Sequence, residues 1–311
     1  MPKSLLDTVG FQLIQLIEKG MVRFSPHGDV LFFNTDEFAW THRLERHWET
    51  IRDELDAVLQ NRSALPNFQD ISEDQTSITN DDQWKTFFLY GFGHKAEANC
   101  ARCPETTRLV ESIPGMKTAF FSILAPGKHI PPHRGPYKGV MRYHLGLKVP
   151  EQAENCRIRV GDEYRHWEEG KGIMFDDTHQ HEVWNDTDEE RVVLFLDIVR
   201  PFDPPIGAIN EALIKLISLS PFVTKAKKNQ EQWEARHQAA GDGQATAQTP
   251  QSVQRLPNAC FSRIVTAYGT SYRNGPCATG CFSLPCSAWE RTMSTLRVRC
   301  KRPAWPSAAG R

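Results

Sequence analysis

The sequence predicts a mainly β protein, a sandwich or jelly roll. Three observations carry that expectation. Between Lys117 and Ile198, short β-branched or aromatic runs follow one another, each bounded by Gly, Pro or acidic turns. Sustained helical periodicity is confined to the flanks, before Leu59 and after Ile209. Two of the central segments, His129-Ile-Pro-Pro-His133-Arg-Gly-Pro and Asp176-Asp-Thr-His-Gln-His181-Glu-Val-Trp184, place histidines on candidate strands, as a shared metal site needs.

Leu5 to Ile17 reads as an amphipathic helix with Leu6, Val9, Leu13, Leu16 and Ile17 on one face. Its polar residues, Asp7, Gln12, Gln15 and Glu18, lack the basic face of a membrane-surface helix, so it is expected to pack on the core. Phe38 to Leu59 predicts a second, longer helix. Asn61 to Asp82 is polar and turn-rich, a loop. Thr106 to Ser112 predicts a short helix stopped by Pro114-Gly115. Strands are expected at Lys117–Leu124, Val140–Val149, Cys156–Val160, Gly172–Phe175, His181–Asn185 and Val192–Ile198, and a closing helix at Ile209–Ile217. From Ala239 the chain turns to Ala, Gln, Thr, Ser, Gly and Pro, with too little apolar periodicity to bury a surface, and is expected to lack order.

The 311 residues are 40% hydrophobic and 24% charged, with a formal net charge of −1. That is ordinary globular composition, and near-neutral charge gives no electrostatic reason to expect nucleic acid. No run approaches the roughly 18 apolar residues of a spanning helix, and no clean signal-peptide core is seen. A cytoplasmic location is expected, with peripheral membrane contact left open. Cys100-Ala-Arg-Cys103 has zinc-pair spacing, but the body holds no second pair, so reduced thiols are expected there.

His133 and His181 are the candidate metal ligands, since two imidazoles from distant strands can hold an ion and leave positions open. Arg191 stands at the mouth of the apolar run Val192–Leu196, where a guanidinium fork suits a carboxylate cosubstrate. Arg142 and His144 are two apart and face one side of a strand. Two polar side chains on one face need buried polar company, water or a solvent-facing sheet side. His129 and His179 are rival ligands, expected at the surface or beside the site. Asp176 and Asp177 are expected to set the turn before His181, and either could orient a ligand imidazole. Trp167 and Trp184 are expected as core or pocket wall.

These residues carry a family resemblance. From about Trp84 to Pro201, the blocks Trp84-Lys-Thr-Phe-Phe-Leu, Cys103-Pro-Glu-Thr-Thr, Ser122-Ile-Leu, Pro132-His133-x-Gly-Pro, Arg142-x-His144-Leu-Gly-Leu, Trp167-Glu-Glu-Gly-Lys, Phe175-Asp-Asp, His181-Glu-Val-Trp and Arg191 occur in order. The stretch resembles the aspartyl/asparaginyl β-hydroxylase family of Fe(II)/2-oxoglutarate dioxygenases. The resemblance implies a double-stranded β-helix (jelly-roll) core with N-terminal and flanking helices and a disordered C-terminal tail. The expected division is 1–70 as a helical segment packing on the core, 71–205 as the dioxygenase domain, 206–238 as C-terminal helices and 239–311 as the tail.

The resemblance also implies roles. His133 and His181 would hold Fe(II). Arg191 and Ser122 would bind the distal carboxylate of 2-oxoglutarate, and Arg142 and His144 its metal-chelating end. O2 would be the oxidant, and an unactivated C–H bond would be hydroxylated. The carboxylate ligand common in such oxygenases would stand two residues after His133, where this chain has Gly135. Peptidyl hydroxylases of the family share that Gly, whereas its lipid A hydroxylases typically have Asp. A peptide or amino-acid substrate is therefore expected first and a lipid acyl chain second. Gly135→Asp is expected to be at most tolerated, since it only offers the third ligand that related oxygenases use. A non-catalytic jelly-roll binding module is the third reading, and the joint presence of His133, His181, Arg142 and Arg191 weighs against it.

Overall fold

The computed structural model describes residues 17–247, with side chains through Arg236. The helix expected at Leu5–Ile17, apart from its last residue, lies outside the described residues, as does the expected tail beyond Ala247. The first described residues, 17–22, are helical.

Two antiparallel sheets face each other. The strands are β1 (Phe32–Phe33), β2 (Trp84–Gly91), β3 (His94–Lys95), β4 (Met116–Leu124), β5 (His129–His133), β6 (Val140–Lys148), β7 (Cys156–Val160), β8 (Glu163–His166), β9 (Gly172–Phe175), β10 (His181–Asn185) and β11 (Arg191–Val199). The large sheet runs β1-β9-β6-β11-β4-β2-β3 and the small one β5-β10-β7-β8. Strands from distant parts of the chain thus alternate between two facing sheets, which is the expected jelly-roll arrangement.

Between the sheets lies a core of Trp84, Leu124, Ile130, Cys156, Ile158, Val160, Trp167, Phe175, Val183 and Val193. The opposite face of the large sheet is covered by helices α1 (Ala39–Arg46), α2 (Trp48–Leu59), α4 (Glu97–Arg102) and α5 (Pro104–Glu111), with a four-residue turn of helix, α3 (Phe68–Ile71), at the edge. Leu44, Ile51, Leu55, Val58, Leu109 and Val110 bury there against Phe87, Phe121, Leu145 and Leu194. A sheet covered on both faces shows unbroken apolar runs instead of alternation, and β11 is buried at eight of its nine positions. Full burial of each such side chain contributes about 1.5–3 kcal/mol.

The single helix expected at Phe38–Leu59 is two helices, broken at His47, whose Nδ1 bonds the carbonyl of Arg43. The segment Asn61–Asp82 holds α3 and two short 3-10 turns but no strand. The boundary expected after residue 70 falls inside α3, and Asn67 bridges to Lys85 of β2. At the C-terminal side, α6 (Ile206–Ser218) and α7 (Pro221–Ala247) pack beside the large sheet. The helix continues to Ala247, past the tail boundary expected at 239, in keeping with the good helix propensity of Ala and Gln. Cys100 and Cys103 are free and buried, and desolvation raises both thiols, Cys103 to about 12.

Candidate active site

His133 ends β5 and His181 begins β10. The two are partners across an antiparallel pair, with ring centroids 4.1 Å apart. His133 Nδ1 donates to the carbonyl of Pro131 at 2.9 Å, and His181 Nδ1 to that of His179 at 3.0 Å. A carbonyl only accepts, so each Nδ1 carries the proton and each Nε2 keeps its lone pair. Burial, the first cause in both cases, holds both imidazoles below their usual range, His181 furthest. Both are neutral at pH 7, the form that ligates a metal.

Asp177 occupies the space beside Gly135. A Cβ built on Gly135 would lie 2.1 Å from Asp177 Oδ2, so Gly is required there to leave room for that carboxylate. An Asp at 135 therefore has no room: the place its carboxylate would take is filled by Asp177 from the segment before His181. Burial pushes the Asp177 carboxyl up to about 7, opposed by Arg142, whose Nη2 stands 2.9 Å away. Arg142 Nε donates to Asp197 at 3.0 Å. Arg142 thus stands between two carboxylates at the position from which it was expected to hold a cosubstrate. Neither the Asp176 nor the Asp177 carboxylate orients these imidazoles; backbone groups of Pro131, His179 and Asp177 do that. Asp176 does set the turn, accepting from the Thr178 amide and hydroxyl.

Arg191 and His144 are buried polar residues whose partners are incomplete. Arg191 Nε and Nη1 and both ring nitrogens of His144 lack a hydrogen-bond partner. The Arg191 guanidinium lies 4.5 Å over Trp167, and burial without an acidic partner lowers it to about 10, still charged. The Cys156 thiol is its only stabilising neighbour of note. His144 is caged by Phe175, Phe195 and Trp167, and burial and Arg191 hold it well below the usual imidazole range. Ser122 accepts from Trp84 Nε1 at 3.0 Å, so its own proton is free to donate. Arg191 lies opposite Leu124 and Ser122 opposite Val193, which puts Ser122 and Arg191 on one face two positions apart. Such orphaned donors fit a small dicarboxylate.

The rival histidines point elsewhere. His129 is half-exposed, bonds Glu182 at 2.7 Å and stacks on Trp184 on the outer face of the small sheet. Trp184 is therefore not a pocket wall, whereas Trp167 floors the Arg191 site. His179 faces Asp29 and Lys138. Asp29, Asp176 and His179 are grouped closely enough for a metal ion, but the Lys138 ammonium already sits among them, at 2.7, 2.8 and 3.4 Å.

A cavity of about 220 Å³ opens beside the site. Its inner end is Arg142, Asp177, Asp197 and Phe195; its walls are Phe68, Phe88 and Phe120 on one side and Ile214, Ile217, Phe222 and Val223 of α6 and α7 on the other. The sequence concealed this wall, because its residues are spread over four separate segments. Asp197 was also missed, although it shares strand parity with Arg191 and is the lone carboxylate in an apolar run.

Residues 45–201 match the family model described as aspartyl/asparaginyl beta-hydroxylase. The chain is also 46% identical over 221 residues to an ornithine lipid ester-linked acyl 2-hydroxylase of Rhizobium tropici, covering 71% of this chain and 79% of that one. The chain belongs to the aspartyl/asparaginyl β-hydroxylase family. A human aspartyl/asparaginyl beta-hydroxylase is 37% identical over 163 residues, which are 51% of this chain and only 21% of that protein. Among solved structures, a Pseudomonas putida prolyl-4-hydroxylase aligns at 16% identity with a TM-score of 0.33, over 50% of this chain and 88% of that one. As a member of this family, the chain brings His133 and His181 together, buries Arg191, and opens a cavity beside Arg142 and Asp177.

Proposed function

We propose that this hydroxylase uses Fe(II) and 2-oxoglutarate to hydroxylate an acyl chain of a lipid. The observation that carries the substrate class is the cavity: Phe68, Phe88, Phe120, Ile214, Ile217, Phe222 and Val223 give it broad apolar walls, with polar groups at Arg142, Asp177 and Asp197 and also at Lys95, Lys117, Gln230 and Glu231. A peptide would leave its backbone groups unsatisfied against Phe68, Phe88 and Phe120, at a cost of about 1–3 kcal/mol for each buried group. An acyl chain has no such groups. The Rhizobium relative, an acyl hydroxylase by name, supports the same class. The order expected from Gly135 alone, peptide before lipid, is thereby reversed.

The residues present fit the cofactors. His133 and His181 would hold the iron through Nε2, and Arg191, Ser122 and His144 would take the 2-oxoglutarate carboxylates. Iron, 2-oxoglutarate and O2 together supply the oxidising power that an unactivated C–H bond demands. The chain's own residues do the rest. Arg191 would pair its buried charge, which lacks an acidic partner, with a cosubstrate carboxylate. Arg142 keeps Asp177 beside the ligand pair. Phe195, Phe175 and Trp167 exclude water from the reacting end, which strengthens each polar contact there.

The test is succinate release by the full chain with Fe(II) and 2-oxoglutarate, in the presence of ornithine lipids, other acylated lipids or Asp/Asn-containing peptides. Stimulation by an acyl lipid and not by peptides is the expected result. Stimulation by peptides alone would return the assignment to peptidyl β-hydroxylation, the reading favoured by Gly135.

A further inference from the structure

No single helix among the described residues is long and apolar enough to cross a bilayer, yet α6 and the described part of α7 pass that test together as a pair bent by 53°. The bend presents apolar side chains outward. Leu216 is 66% exposed, Leu219 at the turn 71% and Ile209 47%; they are the most exposed large aliphatic residues described. Ile209 and Leu216 are seven apart and so share one helical stripe. The other faces of the same helices are buried: Ile214 and Val223 pack inward, and with Ile217 and Phe222 they form the cavity wall.

Charge frames this stripe. The segment 206–236 carries five Lys or Arg, at 215, 225, 227, 228 and 236, against three Glu, at 211, 231 and 234. Lys225 and Lys227 are paired with Glu73 and Glu231, while Lys215 and Lys228 are exposed and make no ion pair among the described residues. An apolar ridge with free lysines beside it matches an acyl-headgroup boundary carrying negative charge.

We infer that the α6–α7 bend is a docking surface for an anionic phospholipid bilayer. Leu216, Leu219 and Ile209 enter the interface, Lys215 and Lys228 meet the phosphates, and the cavity wall is thereby brought against the membrane. The inference rests on the acyl-chain reading for its purpose, since it lets a chain pass from bilayer to cavity without crossing water. It does not rest on that reading for its evidence. It also separates docking from catalysis: the outward residues of the bend touch neither the ligand pair nor the Arg191 site.

The experiment is co-sedimentation of the full chain with vesicles of phosphatidylglycerol and phosphatidylethanolamine, and with pure phosphatidylcholine. The chain should pellet with the anionic vesicles and much less with the neutral ones. Leu216→Asp/Leu219→Asp should weaken that binding by about tenfold or more, because exposed aliphatic anchors are lost. Lys215→Glu/Lys228→Glu should weaken it by at least about 25-fold at low salt, a factor of about five for each lysine removed. Both variants should melt as the parent does, since all four side chains are exposed. Equal pelleting of parent and variants, no pelleting of the parent, or a parent dimer dispersed by the Leu variant would each overturn the inference; the last would make this face a contact between copies. Turnover of a short-chain lipid in solution keeps the two proposals apart. Acyl turnover without vesicle binding sinks only the docking surface, and vesicle binding without acyl turnover supports the surface and sinks only the substrate class.

Discussion

A buried guanidinium with two unsatisfied nitrogens is unfavourable until a partner arrives, and Arg191 is in that position. Replacing it with Lys keeps the charge and removes the planar fork. The apparent KM for 2-oxoglutarate should rise about tenfold to a hundredfold, as expected for a lost charge-assisted contact of about 1.5–3 kcal/mol. Arg191→Met should go further: it removes the isolated charge, so the cosubstrate-free protein should melt no lower than the parent, while the stabilisation by added 2-oxoglutarate disappears. A normal 2-oxoglutarate-induced shift in either variant would place the carboxylate elsewhere. His133→Ala and His181→Ala should each abolish iron-dependent succinate release with the fold retained, read by activity beside circular dichroism. At Gly135 the outcome turns on space. Gly135→Asp should destabilise the protein, because its Cβ meets the Asp177 carboxylate at 2.1 Å, and Gly135→Asp/Asp177→Gly should recover a good part of the loss. That His133 and His181 come together, and that Arg191, His144 and Ser122 are buried, could be anticipated from the sequence because motif spacing carries these residues. The placement of Asp177 could not, since its closeness to Gly135 is a contact between segments some forty residues apart.

The elements were legible where a strand is one unbroken apolar run or ends at a clear turn. Cys156–Val160, Gly172–Phe175 and His181–Asn185 lie where the sequence predicts them. The 129–133 segment was harder to read as a strand because its two prolines, at an edge of the small sheet, argue against the interior of a sheet. The exposed β8, Glu163–His166, has no buried face to leave a pattern. Between β9 and β10, Asp176 ties three elements together through Lys138, Arg200 and Thr178. Its desolvation is outweighed by these contacts, which hold its carboxyl below the usual value. The resulting stability is therefore present above the unfolded carboxyl range and is lost as pH falls below about 4. Asp176→Asn should cost about 3–5 kcal/mol at pH 7, the cost of breaking a buried pair, and should flatten the acid dependence in urea titrations at pH 7 and pH 3.5. An unchanged acid limb would show that another carboxylate controls it. On α6, Ile217→Trp should fill the cavity, slowing turnover of long acyl chains far more than short ones.

At the scale of the whole molecule, the sandwich holds polar chemistry at one end of an otherwise apolar core. The large sheet is packed on both sides, by helices on one and by the small sheet on the other, which fixes β6 and β11 and hence Arg142, His144, Arg191 and Asp197. The sandwich was readable from the strand pattern, and its double-stranded β-helix form from the family resemblance. The role of the C-terminal helices was not, because their cavity-facing side is completed only by phenylalanines from β2, β4 and α3. Those helices supply Ile214, Ile217, Phe222 and Val223 to the cavity beside Arg142 and Asp177. The most direct measurement is mass spectrometry of lipid and peptide substrates after turnover under 18O2 with Fe(II) and 2-oxoglutarate. One labelled oxygen in the acyl chain, lost in His181→Ala and Arg191→Met, is the result expected. Label in a peptide side chain with unmodified lipid, or acyl label that persists without His181, would contradict the assignment.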